Sequence, residues 1–252
     1  YESWLARHGV DTSGVHVSET AHTARFICTT DAEQNQIATF YAGAMSEARN
    51  IELKPIIEAA GSADVVLIGA NDPLAMQRHT DECRFRGYPF ASDPSQQLAR
   101  MSGEEVKPLI EGAQYLFTNE YESALIEQKT GWSAADIADM VQVRITTLGP
   151  NGSRIERRGQ AAVHVPIAEE ERKSDPTGVG DAFRAGFLSG QAWGLSDERS
   201  AQVGSLLASY VIETVGTQEY ELAQQHFLQR LGRTYGDDAA AEVEGFISCT
   251  RP

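Results

Sequence analysis

The segment that decides the fold of this 252-residue chain is S-D-P-T-G-V-G-D-A-F, residues 174–183. Pro176 and two glycines, Gly178 and Gly180, keep its first half out of a helix, whereas the residues from Ala182 onward form helices readily. The segment therefore predicts a glycine-rich loop that leads into the N-terminus of a helix. Unpaired backbone N–H groups and the positive end of the helix dipole make such a terminus a site for an anion.

Asp181 lies in the first turn of this predicted helix. A carboxylate beside an anion hole is the arrangement that phosphoryl transfer to an alcohol requires, because the carboxylate takes the hydroxyl proton while the amides hold the phosphoryl charge. An aspartate in a first turn also stabilises the helix, and the spacing alone leaves both interpretations open. The chain has no G-x-x-x-x-G-K-[ST] loop, and this G-x-G lacks the third glycine of a dinucleotide fingerprint, which excludes both of those sites.

Apolar runs upstream of this segment predict strands that alternate with helices. The runs are residues 64–70, 88–92, 114–118 and 142–148. Residues 64–70 (D-V-V-L-I-G-A) have the pattern of a strand buried on both faces of a parallel sheet, and the next helix is predicted to extend to Arg84. We expect a helix after each strand. The alternation predicts an α/β fold with a doubly wound, mostly parallel sheet and helices on both faces.

Two other regions have distinct patterns. Residues 1–50 contain short candidate strands at 15–17, 23–29 and 37–41 without a helix between them, which predicts a small β lid. The C-terminal third is mostly helical. One apolar helix face is predicted there, formed by Val203, Leu206, Leu207, Tyr210 and Val211.

Charge and cysteine content exclude several classes of protein. The 21 Lys and Arg residues against 36 Asp and Glu give a net charge of −15, so neither a nucleic-acid backbone nor an anionic membrane is an expected partner. The apolar runs are far shorter than the ~20 residues of a membrane span. Cys28, Cys83 and Cys249 are widely spaced and form no C-x-x-C pair. We therefore expect no disulfide framework, no zinc site and a cytoplasmic location.

The segment D-P-T-G-V-G-D-A-F resembles the C-terminal signature D-T-x-G-A-G-D-x-F of the ribokinase-like (PfkB) carbohydrate kinases. Pro176 stands in place of the usual threonine and Val179 in place of the usual alanine. The resemblance implies that Asp181 is the catalytic base. It implies an anion hole formed by Gly178, Val179 and Gly180, with Gly180 also in contact with the nucleotide.

Two further segments resemble the family's motifs in the family's order. Residues 118–122, T-N-E-Y-E, resemble its N-x-x-E element, in which Asn119 contacts ATP phosphates and Glu122 acts on Mg²⁺ through water. An asparagine cap with an acidic first turn would have the same sequence. Residues 146–152 resemble the T-x-G-x-x-G nucleotide loop. The implied ATP-binding residues in this loop are Thr147, Leu148, Gly149, Pro150, Asn151 and Gly152.

A resemblance over essentially the whole chain is to the actinobacterial type of adenosine kinase. It is carried by A-H-T-A-R-F (21–26), F-Y-A-G-A-M-S-E-A-R-N (40–50), D-P-S-Q-Q-L-A-R (93–100) and G-T-Q-E (216–219). It implies that two lid aromatics, Phe26 and Phe40, sandwich the adenine. It also implies that Gln96, Gln97 and Arg100 approach the substrate and the transferring phosphate, as does Asp181. Phenylalanines packed inside the lid, and an arginine at a helix end, are alternatives that the sequence leaves open.

The resemblance thus implies transfer of the γ-phosphoryl group of ATP to the 5′-hydroxyl of adenosine, giving AMP and ADP in purine salvage. It implies Mg²⁺ as a cofactor and allows activation by K⁺. Residues 1–50 would form the lid, and residues 51–252 the α/β nucleotide-binding kinase core. A kinase of ribose or a related sugar, and a non-catalytic nucleotide-binding protein, are the alternatives.

The resemblance also implies that family members have a longer N-terminal region than this chain, and that the protein forms a homodimer. The family carries a Gly-Gly element and a sugar-binding aspartate in its N-terminal region, and these 252 residues contain no Gly-Gly pair. We therefore expect the family's N-terminal part to precede Tyr1. Some members pair their lid strands, so a homodimer through the lid is a further expectation.

Overall fold

The computed structural model describes residues 1–30 and 36–247. It divides into two compact units, Tyr1–Gln114 with Leu125–Trp132 (unit 1) and Tyr115–Ala124 with Ser133–Pro252 (unit 2). The division into a lid at 1–50 and a core at 51–252 rests on sequence character and stays a prediction. Cys249 and the side chain of Cys28 lie outside the described part of the chain.

Helices and strands alternate from residue 53 to residue 147, as expected from the sequence. In the first half they are α1 (Glu2–Arg7), β1 (Arg25–Thr30), β2 (Gln36–Tyr41), α2 (Leu53–Ala60), β3 (Val66–Ile68), α3 (Pro73–Arg86), β4 (Phe90–Ser92) and α4 (Gly103–Ile110). In the second half they are β5 (Tyr115–Asn119), α5 (Glu120–Thr130), α6 (Ala134–Met140), β6 (Val143–Thr147), β7 (Ser153–Arg157), β8 (Val163–Val165), α7 (Val179–Ala192), α8 (Asp197–Ile212), α9 (Gln224–Tyr235) and α10 (Asp237–Glu244). Short 3₁₀ helices occupy Gly43–Asn50, Ser95–Ala99 and Gly149–Asn151.

The lid sheet consists of β1 and β2, which pair antiparallel as a two-stranded sheet. The strand predicted at residues 15–17 is wrong, because the structure has no strand there. His16 and Ser18 both contact the Glu47 carboxylate, at 2.8 Å each. The short helix α1 was also not expected from the sequence.

The strands of the two units pair as follows. In unit 1, β3 and β4 are parallel, and in unit 2, β5 and β6 are parallel. The expectation of a helix after every strand is wrong after β6, where β7 and β8 run antiparallel instead. The reversal occurs at the 3₁₀ turn Gly149–Asn151, where the Leu148 N–H donates to the Gly152 carbonyl at 2.8 Å. The predicted fold class, α/β with a mostly parallel sheet and a small β lid, is confirmed.

The core of unit 2 forms where α7 packs on α8. A side chain at Gly186 would place its Cβ 2.6 Å from the Cα of Gly204, so only two glycines allow the helices this approach. The predicted apolar face of α8 is confirmed. Its buried members are Val203, Leu206, Tyr210 and Val211, and three of them join the cluster that includes Phe227, Leu231, Ala239 and Val243.

The core of unit 1 lies along α3, which extends two residues beyond the predicted Arg84. Asp72 caps this helix by accepting the Ala75 N–H at 3.1 Å, and Pro73 occupies its first position. Glu82 on α3 accepts the N–H groups of Leu53 and Lys54, which fixes the start of α2. Within the described ranges, no helix is long and apolar enough to span a bilayer.

Candidate functional site

The glycine-rich loop before α7 is fixed by Asp175. Its carboxylate accepts the backbone N–H groups of Thr177 at 2.9 Å and Gly216 at 3.3 Å. These hydrogen bonds hold the pKa of Asp175 below its usual value, and the bond from Thr177 has the largest effect. Gly178 then adopts φ 85° as the N-cap residue of α7, where a side chain would be strained and would meet Thr217 at 3.0 Å.

The first turn of α7 carries the predicted base. The first helical bond joins the Ala182 N–H to the Gly178 carbonyl at 2.9 Å, so the N–H groups of the preceding residues have no partner within the helix. The side chain of Asp181 is 84% exposed, and its Oδ1 lies 3.3 Å from Nη1 of Arg184. The Asp181 carboxylate is therefore accessible to an incoming hydroxyl group, and its catalytic role stays a prediction.

Two predicted ATP-binding residues end neighbouring strands. Asn119 and Thr147 are register partners at the carboxyl ends of β5 and β6. The Asn119 N–H donates to Glu122 Oε2, and the Glu122 N–H donates to Asn119 Oδ1, each at 2.8 Å. A cap of this kind on α5 is the alternative to ATP and Mg²⁺ binding that the sequence of residues 118–122 left open. It uses the amide oxygen and one carboxylate oxygen, so Asn119 Nδ2 and Glu122 Oε1 are the atoms that a ligand would meet.

A cavity of about 390 Å³ in unit 2 is lined by much of the predicted nucleotide site. A volume of this order suits a small molecule. The predicted residues in its lining are Asn119, Thr147, Gly149, Pro150, Gly152, Val179 and Gly180. Two others, Leu148 and Asn151, are not part of the lining; they build the turn, in which the Asn151 N–H donates to the Leu148 carbonyl at 3.1 Å.

The remaining lining of this cavity was missed by sequence reasoning. It consists of Ile167, Ala168, Glu170, Lys173, Phe183, Ser205, Ala208, Ser209 and Ile212. The four members from α8 follow the i, i+3, i+4, i+7 spacing of one helix face, and three of them are small, which is the signal that the sequence offered. Lys173 lies 3.0 Å from Glu170 and holds the pKa of that carboxyl below its usual value.

The predicted substrate residues belong to unit 1. Phe26 and Phe40 are register partners in the lid and remain 61% and 43% exposed, so neither ring is buried in the described structure. Gln96 and Arg100 are exposed and Gln97 is buried, in and just after the 3₁₀ helix Ser95–Ala99. In the described part of the chain, Ser95 is the one non-glycine residue with positive φ (45°). Such strain is common where binding residues are positioned.

The family resemblance implies a magnesium ion, which would need side chains of this site to hold it. Among residues 1–30 and 36–247, no three His, Cys, Asp or Glu side chains group so as to hold a metal by themselves. Mg²⁺ usually keeps several waters and binds through one or two carboxylates together with substrate phosphates. Glu122, beside Asn119 and Thr147 in a small cavity, fits that kind of site.

Comparison with known proteins identifies one family. The pfkB family of carbohydrate kinases matches residues 1–224. A nucleoside kinase of Methanocaldococcus jannaschii is 30% identical over 221 residues, which is 86% of this chain and 70% of that protein.

Solved structures agree with this similarity. The nucleoside kinase of Burkholderia thailandensis in complex with inosine is 32% identical, with a TM-score of 0.85 over 93% of this chain and 77% of that chain. The same enzyme in complex with ADP-inosine has a TM-score of 0.84, over 93% of this chain and 72% of that chain.

Proposed function

The chain belongs to the pfkB family of carbohydrate kinases, and on this premise we propose that it is an ATP-dependent nucleoside kinase. The proposed reaction moves the γ-phosphoryl group of ATP to the 5′-hydroxyl of adenosine and yields AMP and ADP. The observation that carries the proposal is the cavity in unit 2, whose lining combines Val179 and Gly180 at the start of α7 with Asn119 and Thr147 at the ends of β5 and β6. The similarity to a nucleoside kinase bound to inosine supports the substrate class.

The roles proposed for unit 2 concern ATP and the proton. The walls contributed by Ile167, Ala208 and Ile212 are apolar and suit a purine ring, whereas the glycine loop suits phosphates. Asp181 takes the proton of the 5′-hydroxyl as that oxygen attacks the γ-phosphorus, and the N–H groups around Gly178, Val179 and Gly180 hold the phosphoryl oxygens. Bound Mg²⁺ would neutralise phosphate charge, and Glu122 would hold it through water.

The roles proposed for unit 1 concern the nucleoside. Phe26 and Phe40 present exposed rings on one face of the lid, where the base stacks on them. Gln96 and Gln97 hydrogen-bond the nucleoside, and Arg100 offers a positive charge to the phosphoryl group. These stacking rings favour a nucleoside over a free sugar, because a sugar such as ribose has no aromatic face to stack.

A panel of phosphoryl acceptors tests the proposal. Purified protein is assayed with ATP and Mg²⁺ against adenosine, inosine and ribose, and ADP and phosphorylated products are quantified. We expect phosphorylation of adenosine and none of ribose. Phosphorylation of ribose without adenosine would establish the sugar-kinase alternative, and nucleotide binding without transfer to any acceptor would establish the non-catalytic one.

The same preparation tests two finer parts of the proposal. Replacing K⁺ by Na⁺ in the assay measures activation by the monovalent cation. A homodimer through the lid is supported by the second face of the lid sheet, where Ile27, Ile37 and Tyr41 are largely exposed. Size-exclusion chromatography with light scattering should give twice the 27.5 kDa mass of one chain. The Ile37→Glu variant should give the mass of a single chain.

A further inference from the structure

We propose that Arg184 binds the γ-phosphoryl group of ATP during transfer. This inference rests on the proposed function and adds to it a cation in the nucleotide unit. In the sequence, Arg184 is the residue directly after the D-P-T-G-V-G-D-A-F motif, and the motif itself assigns it no role. Its assignment comes from its burial, its contacts and the cavity that it lines.

The first observation is the position of the guanidinium beside the second glycine of the loop. A Cβ added at Gly180 would lie 2.7 Å from Nη1 of Arg184. Gly180 does not have the positive φ that demands glycine, and the guanidinium lies against the backbone at this position, where a Cβ would meet its flexible end. Arg184 is only 14% exposed, so α7 holds the guanidinium close to the protein interior.

The second observation is the cavity that Arg184 lines, of about 70 Å³. Among its lining residues, Arg184 carries the only positive charge and Glu122 the only negative one. Four of its residues, Asn119, Thr147, Gly180 and Phe183, also line the larger cavity, so the two cavities adjoin. Ile167, Ala208 and Ile212 line only the larger cavity, so the small cavity adjoins the part of the nucleotide site that Gly180 lines, where phosphates are expected.

The other cation of the nucleotide site does not take this role. Lys173 lines only the larger cavity and is largely exposed. Arg184, in contrast, contacts the proposed base: its Nη1 is 3.3 Å from Asp181 Oδ1. One guanidinium thus lies beside both the base and the proposed anion hole.

The chemistry of the step suits a guanidinium at this place. The bond from the γ-phosphorus to the β,γ-bridging oxygen breaks, the bond to the 5′-oxygen forms, and the hydroxyl proton moves to Asp181. Negative charge stays on the phosphoryl oxygens and the ADP leaving group throughout. Arginine remains protonated and offers a planar pair of N–H donors to phosphate oxygens, so it stabilises that charge without exchanging a proton.

The test compares Arg184→Met and Arg184→Lys with the control Arg199→Met. Arg199 is also 14% exposed and ion-paired, but its partner is Glu242 on α10. We expect Arg184→Met to lower kcat for adenosine phosphorylation by about 100-fold. Arg184→Lys, which keeps the charge, is expected to lose about 10-fold, with adenosine affinity and the melting temperature close to wild type. Arg199→Met is expected to retain wild-type kcat.

A binding measurement separates this inference from the proposed function. Titration calorimetry with AMP-PNP, a non-hydrolysable ATP analogue, should show about 10-fold weaker binding to both Arg184 variants, even if the wild type phosphorylated no nucleoside. If the methionine variant does not fold, the lysine variant alone decides. Wild-type kcat and AMP-PNP affinity in a folded Arg184 variant would overturn the assignment, as would an equal loss in Arg199→Met.

Discussion

Phe26 and Phe40 stand directly opposite each other across the β1–β2 pair, so both rings project from one face of the lid. Directly opposed residues have Cβ atoms only ~4.5–5.5 Å apart. A base inserted between two parallel rings needs roughly 7 Å, twice the contact distance of carbon atoms. The pair is therefore better suited to form one aromatic platform than to enclose the base between parallel rings.

Removing this platform should weaken nucleoside binding and leave nucleotide binding intact. Phe26→Ala and Phe40→Ala are each expected to lower adenosine affinity by about 5- to 150-fold, since stacking contributes ~1–3 kcal/mol per base. Calorimetric titration with adenosine and with ADP measures both affinities. Phe85→Ala, which removes an exposed ring from α3, serves as the control. Retained adenosine affinity in the double lid variant would refute the base-binding role.

Asp181→Asn should stop the chemical step while the protein stays folded. The carboxylate is 84% exposed, so its loss changes little in packing, whereas loss of a positioned general base should lower kcat by about 10²–10⁴-fold. Steady-state kinetics with ATP and adenosine measure kcat and both KM values. The control is Asp238→Asn, which removes a first-turn carboxylate from α10. Near-normal turnover of Asp181→Asn would contradict the assignment of the base.

The stability of unit 2 should depend strongly on Arg230. This side chain is 3% exposed and donates to Glu213 at 2.7 and 3.0 Å, to Ser209 and to the Glu169 carbonyl. Arg230→Met leaves the Glu213 carboxylate without its buried partner, which is expected to cost about 3–5 kcal/mol of unfolding free energy in urea titrations.

An exposed ion pair provides the comparison for Arg230. Arg158 pairs with Asp139 at 3.1 Å, and both side chains are largely exposed. Arg158→Met should therefore change the unfolding free energy by less than about 1 kcal/mol. A loss in Arg230→Met as small as that in Arg158→Met would show that the buried pair does not stabilise the fold.

Asp175 should contribute a pH-dependent part of the stability. Its pKa is lowered in the folded protein, because the carboxylate accepts the Thr177 and Gly216 N–H groups. Such a group stabilises the fold above its unfolded-state pKa, ~3.9, and the contribution disappears as pH falls through the lower folded-state pKa. Asp175→Asn should melt below wild type at pH 7, and the difference should shrink as pH decreases from 5 toward 3. A difference independent of pH would contradict this origin.

Short-range signals in the sequence were sufficient for the parts of the site built from one segment. The glycine pattern of residues 174–183 predicted a loop at a helix N-terminus, and the structure has Gly178 as the N-cap of α7. The spacing of Asn119 and Glu122 predicted a shared helical turn, and they cap one another. In such cases neighbouring residues determine the conformation by themselves.

The parts that the sequence did not predict depend on contacts between distant segments. Glu170 and Lys173 enter the cavity lining through a loop held by Glu213 and Arg230, which are at least 40 residues further along the chain. The strand predicted at residues 15–17 also meets a contact between distant segments, since His16 and Ser18 bind the Glu47 carboxylate. No local propensity encodes such pairings.

The contact between Gly186 and Gly204 makes the width of the nucleotide cavity depend on residues that do not line it. The helix α7 supplies Val179, Gly180 and Phe183 to the lining of this cavity, and α8 supplies Ser205, Ala208, Ser209 and Ile212. One methyl group at either glycine would wedge the walls apart. A substitution at either glycine would therefore alter this cavity without changing any of the residues that line it.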